Sequence, residues 1–117
     1  MHNFKELKVW QKAIDLAVDV YKATESFPIH ERYGLISQIK RCTVSISSNI
    51  AEGSGRGSAP QLKHFLTISL GSAFELETQL IIARRLEMLD DENAEKLIGQ
   101  IAEIQKMLYV LEKSVKA

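Results

Sequence analysis

The sequence holds a single cysteine, Cys42. With no second thiol available, an internal disulfide and a zinc site built on paired cysteines are both excluded, and a reducing compartment fits. An excess of charge of either sign is missing as well: fifteen Lys and Arg stand against fifteen Asp and Glu. A dedicated nucleic-acid binder usually carries a basic surplus, so the balance argues against one while leaving room for a local patch. Long hydrophobic runs are absent. The most apolar stretch, Leu62 to Leu86, is interrupted by Lys63, His64, Glu75, Glu77, Arg84 and Arg85, and it does not read as a membrane span. The opening residues MHNFKELKVW lack the apolar centre of a signal peptide, so the expected location is cytoplasmic.

The residues that usually announce chemistry are sparse. The three histidines, His2, His30 and His64, stand far apart and near expected helix ends, where each reads as a solvated side chain. Helical bundles that hold metal pairs use Glu-x-x-His motifs, and none occurs. Cys42 lies among apolar neighbours and reads as a small core residue. Glu75 and Glu77 are two apart and so point to different sides of a helix. Glu77 falls within the apolar arc, where a carboxylate needs a partner; Arg41 or Lys40 could supply one. A structural polar contact accounts for this pair more simply than acid-base catalysis. The expectation is a protein that is not an enzyme and uses no cofactor and no metal.

What the chain does contain is helical punctuation. Its 117 residues fit one domain with its own core. Phe27-Pro28, a glycine-rich stretch and Leu89-Asp90-Asp91 divide it into four segments, about 3–25, 30–52, 59–88 and 91–115. Asn3 with Glu6 suggests a capping box, and Pro28 closes the first segment. In the second, Leu35, Ile39, Ile46 and Ile50 share a side, next to a stripe of small or polar residues: Gln38, Cys42, Ser45, Ser48 and Asn49. Gly53 follows the last periodic residue, where a left-handed cap is often needed. Ser58-Ala59-Pro60-Gln61 is a start signal for the third segment, whose inward stripe runs through Leu62, Phe65, Leu66, Ser69, Ala73, Leu76, Leu80 and Ala83. The fourth carries Leu97, Ile101, Ile104, Leu108, Leu111 and Val115 in steps of three and four. No strand pattern competes. The expected fold is all-α, a single-domain antiparallel up-down four-helix bundle.

The first segment has more apolar surface than one bundle face needs. At about 100° per residue, Leu7, Trp10, Ile14, Ala17, Val18 and Tyr21 cluster together. A second cluster, Val9, Ala13, Leu16 and Val20, lies about 140° away. The apolar arc spans about 200°, against about 100° for an ordinary surface helix. Either the helix is covered on all these sides by its own bundle, or Val9, Ala13, Leu16 and Val20 meet another subunit. The second reading makes the protein a homo-oligomer.

The stretch SISSNIAEGSGRGS, residues 45–58, concentrates the glycines around Arg56. It is not a phosphate-binding Walker loop, which needs Gly-Lys-Ser/Thr opening a helix after a strand. Between His30 and His64 the charge is +3, with Arg32, Lys40, Arg41, Arg56 and Lys63 against Glu31 and Glu52.

The order Leu7-x-Val9-Trp10-Gln11, Phe27-Pro28, Glu31-Arg32-Tyr33-Gly34-Leu35, Gln38-Ile39-Lys40-Arg41, Ser45-Ile46, Ser48-Asn49-Ile50-Ala51-Glu52-Gly53, Arg56, Gly71-Ser72 and Glu75-Leu76-Glu77-Thr78-Gln79-Leu80 resembles the bacterial family named after the 23S rRNA intervening-sequence protein. The resemblance covers nearly the whole chain, and Ser-Asn-Ile-Ala-Glu-Gly is its most specific part. It implies an up-down four-helix bundle assembling as a ring-like homopentamer. It also implies kinship with the accessory protein of diversity-generating retroelements, a similar pentamer that binds a reverse transcriptase and nucleic acid through a strongly basic surface. The present chain departs from that surface in being neutral.

Two roles follow for the motif residues. Ser45, Ser48, Asn49, Glu52 and Gly53 serve a close helix contact and turn, with Glu52 pairing to Arg56 or to a neighbouring subunit. Alternatively, Arg56 joins Arg32, Lys40, Arg41 and Lys63 in a patch for phosphate. The expected function is a homo-oligomeric binding or assembly module with RNA or DNA as partner. The competing reading is a scaffold that docks another protein without touching nucleic acid. No membrane partner is expected. Clustering of the five cations would favour nucleic acid, and scattering among acids the scaffold.

Overall fold

A computed structural model describes residues 3–31 and 34–116. Among them are four α-helices, two single 3-10 turns (Phe4–Glu6 and Ile29–Glu31) and no strand. The helices are α1 (Lys8–Thr24), α2 (Leu35–Ser54), α3 (Ala59–Arg85) and α4 (Asp91–Ser114). The molecule measures 44 × 24 × 20 Å. Its long axis is set by α3, whose 27 residues span roughly 40 Å at 1.5 Å per residue.

Local chemistry sets the helix ends, and several differ from the expected ones. Asn3 does accept a hydrogen bond, from Lys5 N at 3.2 Å, but it caps only the 3-10 turn. Leu7 is extended (φ −72°, ψ 123°), so α1 starts at Lys8. The turn is held against α1 by Gln11 Nε2 donating to Lys5 O at 2.9 Å and by Trp10 edge-on to Phe4 at 5.2 Å. Ser58 caps α3 as its sequence suggests: its Oγ accepts from Gln61 N at 3.3 Å and donates to Gln61 Oε1 at 3.0 Å. The other end of α3 comes three residues early. Met88 N bonds Ala83 O and Glu87 N bonds Arg84 O, both at 3.0 Å, around a left-handed Glu87 (φ 61°). This double closure ends the helix and turns buried Leu89 back toward the core.

Gly53 is not the left-handed cap. It is a buried residue inside α2, and the positive φ falls at Gly57 (80°). A Cβ at Gly53 would lie 2.7 Å from Phe65 Cβ and 3.3 Å from Leu62 Cδ1. The glycine is there for a close approach of α2 to α3.

Each helix packs against two others. α1 lies between α2 and α4, α3 lies between α2 and α4, and α1 and α3 sit across the diagonal. Contacts run in opposite numerical order along neighbouring helices. Ile46 meets Ser69 and Cys42 meets Glu75; Lys63 meets Glu112 and Arg84 meets Asp91; Lys12 meets Glu103 and Asp19 meets Gln100. The centre is filled by Leu16, Ile39, Ile46, Ile50, Leu66, Leu76, Leu80, Ile101, Ile104 and Leu108. α3 alone is long and apolar enough among the described residues to cross a membrane, but here its inward stripe is packed on α2 and α4.

The two apolar clusters of α1 have exchanged places relative to the sequence reading. Val9 is 4% exposed, and Ala13, Leu16 and Val20 are 0% exposed; they form the core of this chain and cannot be a subunit contact. Val18 and Tyr21 are instead 48% and 41% exposed. Periodicity cannot choose between two apolar clusters on one wheel. Packing against α2 and α4 decides it, and on the α4 side Lys12 bonds Glu103 at 2.8 Å and Gln100 Nε2 donates to Asp19 at 3.1 Å.

The Gly53 contact yields a paired test by urea denaturation. Gly53→Ala is expected to destabilise by about 1–3 kcal/mol, the range for overpacking a filled contact. Gly71→Ala, where nothing lies within 4 Å of the new Cβ, is expected to stabilise by up to about 1 kcal/mol through helix propensity. Equal effects at the two sites would contradict the close-approach reading.

Candidate functional site

The motif residues line the seam between α2 and α3. Asn49 Nδ2 donates to Ser45 O at 2.8 Å and to Ser45 Oγ at 2.9 Å. Ser45 Oγ in turn bonds Ser72 Oγ at 2.9 Å, and Ser69 Oγ donates to Ile46 O at 2.8 Å. The seam is therefore stitched by hydroxyls from both helices. Ser69 and Ser72 are half of it; Ser69 could be read from its inward position, and Ser72 only as part of the Gly71-Ser72 pair within the family resemblance. Ser48 is exposed and takes no part in the seam.

Cys42 belongs to the same seam. Its thiol donates to Ser72 O at 3.0 Å and lies 3.7 Å from Glu75 Oε2. Burial, and then the Glu75 carboxylate, push the thiol up to about 12. Glu77 is half-buried, as its place in the apolar arc requires, but its partner is neither Lys40 nor Arg41. Gln105 Nε2 of α4 donates to Glu77 Oε1 at 2.8 Å. Glu75 and Glu77 thus face different neighbours and form no acid-base pair.

The described basic residues have different neighbours. Lys40 turns toward α1, its ammonium 4.9 Å above the Tyr21 ring. Arg56 lies 3.6 Å from Glu52 and over the Phe65 ring at 4.9 Å. Lys63 reaches across to Glu112 of α4 at 3.9 Å. Arg41 lines the α2–α3 side and forms no ion pair among the described residues. Arg32 lies outside the described residues, as does His2. Among the described residues no three His, Cys, Asp or Glu side chains are placed to hold one metal ion.

Two apolar surfaces are exposed, on opposite sides of the four-helix square. On the α1/α2 side Val18, Tyr21 and Val44 are exposed, beside half-buried Trp10 and Ile14; Lys40 above Tyr21 ties the two helices there. On the α3/α4 side, Leu70, Phe74, Tyr109 and Val110 line an open, almost wholly apolar groove of about 390 Å³. A larger concavity of about 840 Å³ sits at the α3–α4 turn, but acids and bases alternate around it and Arg84 pairs with Asp91 at 3.8 Å.

Cys42 gives a direct check of the seam. Its thiolate is disfavoured by folding, so iodoacetamide at pH 8 is expected to react roughly a hundredfold more slowly with the folded chain than with the urea-unfolded one. The sign of the linkage follows. The contribution is intact below the ordinary thiol value of 9.0 and is lost as pH climbs through about 12, because the unfolded chain loses the proton first. Urea midpoints should therefore fall more steeply above pH 9 in the wild type than in Cys42→Ala.

Comparison with known proteins places this architecture. The family model described as 23S rRNA-intervening sequence protein matches residues 5–110, through all four helices. Among solved structures, the fold is similar to that of a protein of unknown function from the S23 ribosomal protein family of Bacteroides thetaiotaomicron. The TM-score is 0.84 at 27% identity, over 91% of this chain and 96% of that one. No curated protein matches. The family match extends over the seam, its serines and the glycine that closes it, and the chain belongs to the 23S rRNA-intervening sequence protein family.

Proposed function

We propose that the protein is a non-enzymatic assembly module, an antiparallel up-down bundle that closes into a homo-oligomeric ring and docks other proteins in the cytoplasm. The observation that carries this reading is the pair of exposed apolar surfaces on opposite sides of the square. Patches of this kind mark interaction surfaces. Two different surfaces on opposite sides suit a head-to-tail contact, α1/α2 of one copy against α3/α4 of the next, and head-to-tail contacts close into rings when the rotation allows. The homopentamer implied by the sequence resemblance is such a ring. The subunit contact moves accordingly from Val9, Ala13, Leu16 and Val20 to the outward cluster of α1.

The charges support a protein-docking scaffold over a nucleic-acid binder. Lys40, Arg56 and Lys63 point to different sides, and two of them are paired with acids. A cation already neutralised by a neighbouring carboxylate releases fewer counterions from a phosphate backbone.

Sedimentation velocity on Val18→Glu and Val110→Glu tests the reading. Each variant alone is expected to be monomeric, with stability within about 0.5 kcal/mol of wild type, as for surface substitutions. Mixed together, each supplies the face the other lacks, and the mixture should stop at a dimer. A monomeric wild type, or unchanged assembly in both variants, would reject the ring. Fluorescence anisotropy with labelled structured RNA and duplex DNA separates the partner classes. Affinity falling steeply with salt would replace protein docking by phosphate binding.

A further inference from the structure

Each of the two apolar sides holds one half-buried charge without a counter-ion, and the two are opposite in sign. On the α1/α2 side, the Lys40 ammonium lies 4.9 Å above the Tyr21 ring. On the α3/α4 side, Glu77 adjoins the groove through Gln105, whose neutral amide donates to it at 2.8 Å. Neither Lys40 nor Glu77 forms an ion pair among the described residues. Other half-buried charges are answered inside the chain, Lys63 by Glu112 and Arg84 by Asp91. Asp19 also has only an amide partner, Gln100, but it faces α4 and lies off both apolar sides. Lys106 lines the groove as well, but it is exposed to solvent.

The two charges are also level along the bundle. α2 and α3 run in opposite directions, with Cys42 beside Glu75 and Ser45 beside Ser72. Two residues back from Cys42 is Lys40, and two residues on from Glu75 is Glu77. They therefore stand at the same height, on opposite sides of the molecule. Copies related by rotation about an axis parallel to the helices keep that height. A head-to-tail contact of the α1/α2 side on the α3/α4 side then sets Lys40 of one copy opposite Glu77 of the next. Covering both sides removes the water that still reaches these groups. That loss is costly for a lone charge and tolerable only when an opposite charge replaces the water.

We propose that an ion pair between Lys40 of one copy and Glu77 of the next sets the register of the subunit contact. The inference rests on the ring and names the polar pair inside its apolar interface. Such a pair contributes specificity more than strength. Sliding one copy by a helical turn, about 5.4 Å, would bury both charges unpaired. Pairing like sides would bring two cations together, or two anions. The charges thus select the head-to-tail contact over a two-fold one.

Charge reversal followed by sedimentation velocity tests the pair, with circular dichroism as the check on folding. Lys40→Glu and Glu77→Lys are each expected to weaken association by roughly tenfold or more, because each sets like charges face to face. The double variant Lys40→Glu/Glu77→Lys should recover the wild-type oligomer. Mixing the two single variants should also restore association, since each repels its own kind and attracts the other. If Glu77→Lys does not fold, Glu77→Gln takes its place. It keeps an acceptor for Gln105 and should weaken association by leaving Lys40 unpaired. The pair is overturned if the wild type assembles and the single variants assemble equally well, or if neither the double variant nor the mixture recovers. A monomeric wild type, or assembly that survives both Val18→Glu and Val110→Glu, overturns the ring itself, so the two failures read differently.

Discussion

Gly53 lets the backbone of α2 come within contact distance of Phe65 and Leu62, and a side chain there would collide with Phe65 and press on Leu62. The rest of the bundle depends on that approach. Once the helices touch at their shared turn, the hydroxyls further along fall into register: Ser69 on Ile46 O, Ser72 on Ser45, and Cys42 on Ser72 O. Residues with longer side chains at 45, 69 or 72 would hold the helices apart and break these bonds. With α2 and α3 locked, α1 and α4 each find a groove and contribute Leu16, Val20, Ile101, Ile104 and Leu108 to the common core.

The same geometry explains the dispersal of charge. The segment from His30 to His64 is basic along the chain, but adjacent positions on a helix point about 100° apart. Lys40 therefore goes to α1 while its neighbour Arg41 goes to the α3 side. Arg56 leaves the end of α2 and returns onto Phe65 and Glu52, and Lys63 begins a new helix facing α4. A charge surplus in sequence is thus shared among cations that each have their own neighbours. The sides of the square end up chemically distinct, with apolar surface on two opposite ones and the hydroxyl seam on a third.

The four helices, their turns and most of the inward stripes were legible in the sequence, because periodicity, proline, the Ser58 cap and the acidic start of α4 act locally. Leu62, Leu66, Ala73, Leu76 and Leu80 of α3 and Leu97, Ile101, Ile104 and Leu108 of α4 lie where their spacing put them. The small, polar stripe of α2 was also visible as a place where another helix comes close. The motif Ser-Asn-Ile-Ala-Glu-Gly and the residues around it carried the family.

What depends on two helices at once was decided only in the tertiary structure. Nothing local distinguishes Val9, Ala13, Leu16 and Val20 from Trp10, Ile14, Val18 and Tyr21; both are apolar clusters on one wheel, and only the packing of α1 between α2 and α4 buries the first. Gly53 looked like a cap because it follows the last periodic residue of its segment, and only the nearness of Phe65 shows that it is a packing glycine. Glu77 needed a partner on sequence grounds, but Gln105 could not be named before α3 and α4 were set side by side.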